Sequence, residues 1–345
     1  MSGRSLLARA SLGVALSAFV TVVSPSSTAG QEAPPRPFLR KVIQLDDAQL
    51  AAVEKGEVVT KLLPTTDKPE IAAFGIVKTT GTPDLLLAHA RDIQKFRQVP
   101  QIPEMGRFSN PAKLEDLKGL THPPDDIGAL KRCKPGSCDV KLGTKGLEAV
   151  SRIDWKAPDA EARAVAVFNQ AIVDYVRAYQ VGGTAAMGNV LDKKQEKSRA
   201  AEYRSLMANS PYLVDYVKEF YDYLEAYPNG KLAGAEDVLY WAKDTFGLKP
   251  VISGYHVTFY KGPRGVLISN KLLAASHFFN ASLEVMAGVP TPDGKGLYLL
   301  SLYRTRIDPP TGMLGGVLMG KVRGGIETGM KENLTTARDR IAAAR

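Results

Sequence analysis

The chain has 345 residues, of which 44% are hydrophobic, and its 45 Lys and Arg against 36 Asp and Glu give a formal net charge of +9. This length suits one large domain or two ordinary ones. The positive charges are scattered, with no run of five or more, which excludes a nucleic-acid-binding stripe. They form either a solvated surface or a peripheral contact with an anionic membrane surface.

The first 29 residues have the pattern of a secretory signal peptide. Arg4 and Arg9 precede an apolar run over 10–23, and small residues occupy 27–29. An uncleaved anchor is the alternative, but this run is shorter than the ~20 residues that a membrane span needs. We predict export to the periplasm or the medium after cleavage near Ala29, which leaves a net charge of +7.

Residues 30–44 are proline-rich and predict a flexible lead-in, and 45–156 form the N-terminal part of an α+β domain. Its predicted elements are a helix over 48–55, strands over 57–63 and 70–79, a helix that begins at Thr82, and short strands over 105–109 and 139–142. His89 lies on the apolar face of the helix that follows Thr82, which is typical of a packed core histidine.

Two cysteines, Cys133 and Cys138, flank a Pro-Gly turn. In an exported protein this spacing predicts a disulfide that closes the turn. The segment offers too few ligands for a metal, and a redox pair has two intervening residues instead of four.

Residues 157–248 predict an all-helical insertion. Apolar residues recur at helical spacing over 159–179 and in a segment that begins at Ser210. The charged segment 192–207 and the segment 235–246 are predicted to be helical as well. The aromatic stripe of the helix that begins at Ser210, which includes Tyr212 and Phe220, is more typical of packing than of a cofactor site.

The C-terminal part, 249–345, predicts antiparallel strands followed by one long helix. The runs 253–261, 266–276, 277–289 and 297–308 are separated by turns without intervening helices. From Gly315 to Ile341, apolar residues recur every three or four positions. Gly320 and Gly324 on this helix either let it sit close to the sheet or leave room for a ligand.

The order of these elements resembles the helix-grip fold of the START-like (SRPBCC) lipid-binding superfamily. The resembling residues are Leu-Ala-Ala-Val-Glu-Lys-Gly-Glu-Val-Val at 50–59, Gly-Ile-Val at 75–77, Thr-Pro-Asp at 82–84, and the strand 297–308 that runs through Gly312 into the last helix. The resemblance implies an antiparallel sheet that grips the C-terminal helix and a hydrophobic ligand cavity between them. The superfamily contains carriers and a minority of enzymes.

No catalytic, phosphate-binding or metal-binding motif occurs in a context that its mechanism needs, so we predict no catalytic residue, metal or cofactor. His256 and His277 lie on strands of the predicted sheet and face either the cavity or one buried hydrogen-bond partner. Arg304 and Arg306 share a strand face, where they either hold an anionic head group or are surface arginines. The candidate ligand-binding residues are His256, Thr258, Tyr260, His277, Tyr303, Arg304, Gly320 and Gly324.

Three hypotheses follow. The first is an exported protein that binds a lipid or another hydrophobic small molecule between the sheet and the last helix. The second is an envelope protein that docks an unknown protein partner through the helical insertion. The third is an enzyme that uses the same cavity, with His256 or His277 as the base.

Overall fold

A computed structural model describes residues 34–97, 99–245, 249–308 and 315–344. The predicted signal peptide with its cleavage site near Ala29 lies outside the described residues, and so does Gly312. Within the described ranges, no helix is both long and apolar enough to cross a bilayer.

An eight-stranded antiparallel sheet forms the centre of the molecule, with the strand order β1-β2-β10-β9-β8-β7-β6-β3. A two-stranded ribbon, β4-β5, lies apart from it. The strands are β1 (Val59–Leu63), β2 (Glu70–Thr79), β3 (Glu104–Arg107), β4 (Asn189–Val190), β5 (Lys197–Ser198), β6 (Ala235–Asp244), β7 (Val251–Gly262), β8 (Gly265–Ala275), β9 (Phe279–Pro290) and β10 (Leu297–Ile307).

Helices cover both faces of this sheet. They are α1 (Arg36–Phe38), α2 (Asp47–Glu54), α3 (Pro83–Arg91), α4 (Ile93–Arg97), α5 (Pro124–Leu130), α6 (Thr144–Ser151), α7 (Ala160–Gly182), α8 (Arg199–Ala208), α9 (Pro211–Ala226) and α10 (Gly315–Ala343). Shorter helical turns occupy Leu39–Ile43, Leu114–Leu117 and Gly183–Met187. The predicted α+β class, with an antiparallel sheet and a long C-terminal helix, is confirmed.

Local sequence explains where two of the predicted helices begin. The Asp46 carboxylate accepts the backbone N–H of Gln49, and the Gln49 side chain accepts the backbone N–H of Asp46, a capping box at the start of α2. The Thr82 hydroxyl accepts the backbone N–H of Leu85, and Pro83 takes the first helical position of α3.

One face of the sheet packs against α3, α4 and the C-terminal half of α10. The buried stripe of α10 consists of Met330, Leu334, Ala337 and Ile341. Gly75 in β2 lets the helix approach closely, because a Cβ at this position would lie 2.5 Å from the Leu334 Cδ1 atom. Each buried aliphatic side chain contributes about 1.5–3 kcal/mol to this contact.

The opposite face is covered by the N-terminal helices and by α7, α8 and α9. Leu39 and Ile43 pack with Phe74 on β2, and Phe220 of α9 packs with Leu283 on β9. The sheet is therefore buried on both sides, as the middle layer of three.

The predicted flexible lead-in, 30–44, is wrong over its described part. Residues 36–43 form helical turns, and Leu39 and Ile43 are 1% and 2% exposed. The proline-rich composition predicts flexibility, but two large aliphatic residues of this segment are buried in the core.

The predicted all-helical insertion, 157–248, is also wrong at its C-terminal end. Residues 235–244 form strand β6, which pairs along its whole length with β7, and α8 begins at Arg199 after the β4-β5 ribbon. Leu239, Tyr240, Trp241 and Ala242 are all buried, so this strand lacks the alternation that would distinguish it from a helix.

The glycines of α10 do not serve a close approach to the sheet. A Cβ added at Gly320 or Gly324 would meet no atom within 4 Å, and both positions are exposed. We expect Gly320→Ala and Gly324→Ala each to stabilise the protein by about 1 kcal/mol, because alanine restricts the unfolded chain and favours the helix. Thermal unfolding would measure this, and a loss of stability would show that these positions are covered.

Candidate functional site

A cavity of ≈ 710 Å³ lies between strand β9, helices α3 and α4, and the last turns of α10. This volume is within the range of about 300–1,000 Å³ typical of small-molecule sites. Its apolar wall consists of Ala88, Phe96, Val99, Ile102, Met286, Ala337, Ile341, Ala343 and Ala344. Its polar residues are His89, Asp92, Lys95, Arg97, Glu284, Asn333, Thr336 and Arg340.

An ion pair lies in the wall that the sheet and α4 form. The Arg97 Nη2 atom donates to Glu284 Oε2 over 2.8 Å, and the Ser301 hydroxyl donates to Glu284 Oε1 over 2.9 Å. The two charged side chains are only 20% and 15% exposed. Burial disfavours the charged guanidinium, but the attraction of Glu284 outweighs it, so the pKa of Arg97 is raised.

The Arg97 side chain of this pair has a further hydrogen-bond donor, its Nε atom. The Arg97 Nε atom is buried and has no hydrogen-bond partner in the part of the chain that the structure describes. A buried donor without a partner is costly, so a polar atom of a bound molecule would gain by accepting from it. The cavity thus combines an apolar wall with polar residues, among them Arg97 with this additional donor.

A carboxyl with a raised pKa lies on the same face of the sheet, at the end of β6. Asp244 is 4% exposed and accepts a hydrogen bond from the Tyr255 hydroxyl over 3.1 Å. Burial raises its pKa from the ordinary 3.8 to about 6. The folded state therefore binds this proton more tightly than the unfolded chain does.

This raised pKa makes the contribution of Asp244 to stability depend on pH. The contribution is complete below pH 3.8 and is lost as the pH rises through about 6. We expect Asp244→Asn, whose amide is neutral at every pH, to be more stable than the wild type by roughly 2–3 kcal/mol at pH 8 and equal to it near pH 4. Urea unfolding at pH 4, 6 and 8 measures the difference, with exposed Asp215→Asn as the control. A constant difference at all three pH values would contradict this assignment.

The predicted site residues on β7 do not face the cavity. His256, Thr258 and Tyr260 point to the opposite face, whereas Val257 and Phe259 pack on the side of α10. The prediction that they line the cavity is wrong, because a period of two separates the faces of a strand without telling which face meets which layer.

The remaining predicted residues are dispersed. His277 lies between β8 and β9, where its Nε2 is 2.9 Å from the Asp126 carboxylate. Arg304 pairs with buried Glu70 on the far face and also donates to the Tyr212 hydroxyl. Neither faces the cavity, so the hypothesis of a cavity base at His256 or His277 is wrong as well.

Of the candidate set, only Tyr303 lies on the cavity face, where it is directly opposite Glu284 in the neighbouring strand. Gly320 and Gly324 lie on the exposed half of α10, away from the cavity lining. The predicted disulfide is confirmed, since Cys133 and Cys138 are bonded and Cys138 is buried.

Sequence reasoning missed Arg97 and Glu284. One signal was available: Glu284 is a single charge within the apolar strand β9, and a buried charge needs a partner. The partner could not be read from the sequence, since it lies 187 residues earlier in the chain.

No family model and no curated protein matches the chain. Among solved structures, it is similar to the crystal structure of a STAR-related lipid transfer protein from Xanthomonas axonopodis. The alignment covers 82% of this chain and 93% of that chain, with 9% identity and a TM-score of 0.36. The cavity and the fold described above rest on the contacts of this chain alone.

Proposed function

We propose that the protein is an exported carrier that binds a lipid or another hydrophobic small molecule between the sheet and α10. The observation that carries this proposal is the ≈ 710 Å³ cavity with its largely apolar wall. Each methylene of a ligand buried there would contribute about 0.8 kcal/mol.

The polar groups support an amphipathic ligand with one hydrogen-bonding end. The spare Nε donor of Arg97 would bind that end, and the apolar wall would bind the rest. Docking of a partner through the aromatic stripe of α9 is less favoured, because Tyr212 and Phe220 are 7% and 1% exposed and pack toward the sheet.

The first experiment is to purify the protein from its native host, extract it with organic solvent and analyse the extract by mass spectrometry. We expect a lipid or another apolar molecule in an amount comparable to the protein. An empty extract, together with no thermal shift across a panel of fatty acids, phospholipids and sterols, would overturn the proposal.

Export is tested separately. The mature protein should begin close to residue 30 and appear in the periplasmic or extracellular fraction. An intact Met1 in a cytoplasmic fraction would overturn export while leaving ligand binding to be judged by the extract.

A further inference from the structure

A second cavity, of ≈ 370 Å³, lies on the opposite face of the sheet, near the edge where β3 ends. Asp237 and Leu239 of β6 form one wall, and Phe108, Tyr227 and Pro228 form others. Arg107 at the end of β3 also lines the cavity, but its guanidinium donates to the Arg91 carbonyl over 2.6 Å. This cavity shares no lining residue with the cavity between the sheet and α10.

The carboxylate of Asp237 is held in place by three neutral donors. His256 Nε2 lies 2.8 Å and the Thr258 hydroxyl 2.7 Å from Oδ1, and the Tyr223 hydroxyl donates to Oδ2. The Tyr179 hydroxyl lies 2.8 Å from His256 Nδ1 and donates to it. This fixes the tautomer in which Nε2 carries the proton and donates to Asp237.

This arrangement leaves a negative charge without a matching positive one. Burial lowers the pKa of His256, so the ring is neutral at pH 7. Although burial alone would raise the pKa of Asp237, its hydrogen bonds lower it, and the carboxylate is ionised. Among the described residues, no Lys or Arg approaches its oxygens within 4.0 Å.

Buried Lys271, whose pKa burial lowers to about 7, does not supply the missing charge. Lys271 Nζ donates to the Thr184 hydroxyl over 2.7 Å and lies 3.7 Å from the centre of the Tyr203 ring. It is thus held by other groups, while the Asp237 side chain is 19% exposed and its open side meets the second cavity. An ionised carboxylate that is four-fifths buried gains from a cation that can reach it.

Aromatic surfaces complete the site. The ring of Tyr227 stacks on that of Tyr179, with 5.3 Å between the ring centroids, and its centroid lies 4.3 Å from that of His256. Tyr227 also lines the cavity, together with Phe108. A carboxylate beside aromatic rings is the combination that recognises ammonium groups. We propose that this cavity is a binding site for a small organic ammonium ion, with Asp237 as the counter-ion and Tyr227 as the aromatic wall.

The test compares a cation with its neutral analogue on the purified protein. Calorimetric titration with phenethylamine should show binding at least tenfold tighter than with 2-phenylethanol, and Asp237→Asn should abolish the difference. Ethanolamine and choline extend the probes to smaller and quaternary ions. Absence of binding by all three amines, or equal binding of amine and alcohol, would overturn the proposal.

A second variant avoids disturbing the Asp237 network. Asn110 is exposed and lines the cavity, so Asn110→Lys would place a tethered ammonium beside Asp237 and should weaken phenethylamine binding at least tenfold. Asn110→Gln is the matched control and should bind as the wild type does. Unchanged binding in Asn110→Lys, or loss of binding when only the cavity beside α10 is blocked, would overturn the assignment.

Discussion

Replacing Thr336 with tryptophan should weaken the binding of a fluorescent fatty acid at least tenfold, which corresponds to about 1.4 kcal/mol. Thr336 lines the cavity between the sheet and α10 and is half-buried, with its neighbour Ala337 in the wall. The indole would occupy space that the proposed ligand needs. Fluorescence titration of the purified protein measures the affinity.

The helix itself provides the control. Thr335 is the adjacent residue, is also half-buried, and lies outside the cavity lining, with its hydroxyl bonded to the Lys331 carbonyl. Thr335→Trp should therefore bind the probe as the wild type does. Equal loss in both variants would indicate damage to the helix, and no loss in Thr336→Trp would place the ligand elsewhere.

Truncating Leu334 to alanine should destabilise the protein by about 3 kcal/mol. Leu334 is 1% exposed and packs against β2, and a leucine deleted from a packed core costs about 2–5 kcal/mol. Leu318 lies on the exposed half of the same helix and is 41% exposed, so Leu318→Ala should change the free energy of unfolding by less than about 0.5 kcal/mol. Urea unfolding measures both.

A double-mutant cycle tests whether Leu334 lies directly over Gly75. Gly75→Val alone should cost about 1–3 kcal/mol, because its side chain would overlap the Leu334 and Met330 side chains. Combined with Leu334→Ala, the valine fills the vacated space, so the double variant should be more stable than additivity predicts by about 1 kcal/mol. Strict additivity would show that the helix does not pack on β2 at this point.

The C-terminal half of the fold could be predicted because its signals are local. Turn residues at 262–265 and 290–294 separate the strands, and the apolar stripe from Leu318 to Ile341 has helical spacing. Strand β2 was predicted with the boundaries that it has, Glu70–Thr79.

The face of the sheet to which each strand residue points could not be predicted in the same way. Val257 and His256 are both nearly fully buried, on opposite faces, because helices cover the sheet on both sides. Where one face of a sheet meets solvent, its polar residues identify that face. Helices cover both faces of this sheet, so polarity does not distinguish them. For the same reason, the sequence of strand β6 predicts a helix although the segment is a strand.

The proposed ligand site depends on contacts that no local pattern encodes. Arg97 follows α3 by a few residues, whereas Glu284 belongs to a strand near the end of the chain. Only the pairing of β9 and β10 and the position of α4 over them bring the ion pair, Ser301 and Tyr303 together.

Both tryptophans of the chain lie on the side of the sheet opposite the cavity beside α10. Trp241 packs with Tyr179 and Phe108, and Trp155 packs near Phe168 of α7. Intrinsic tryptophan fluorescence therefore reports on one side of the sheet only. It should change when an ammonium ion binds near Tyr227 and change little when a lipid binds beside α10. In Thr336→Trp the new indole would be the only one on the α10 side of the sheet. The wavelength of its emission would therefore report whether the cavity around it is dry or wet.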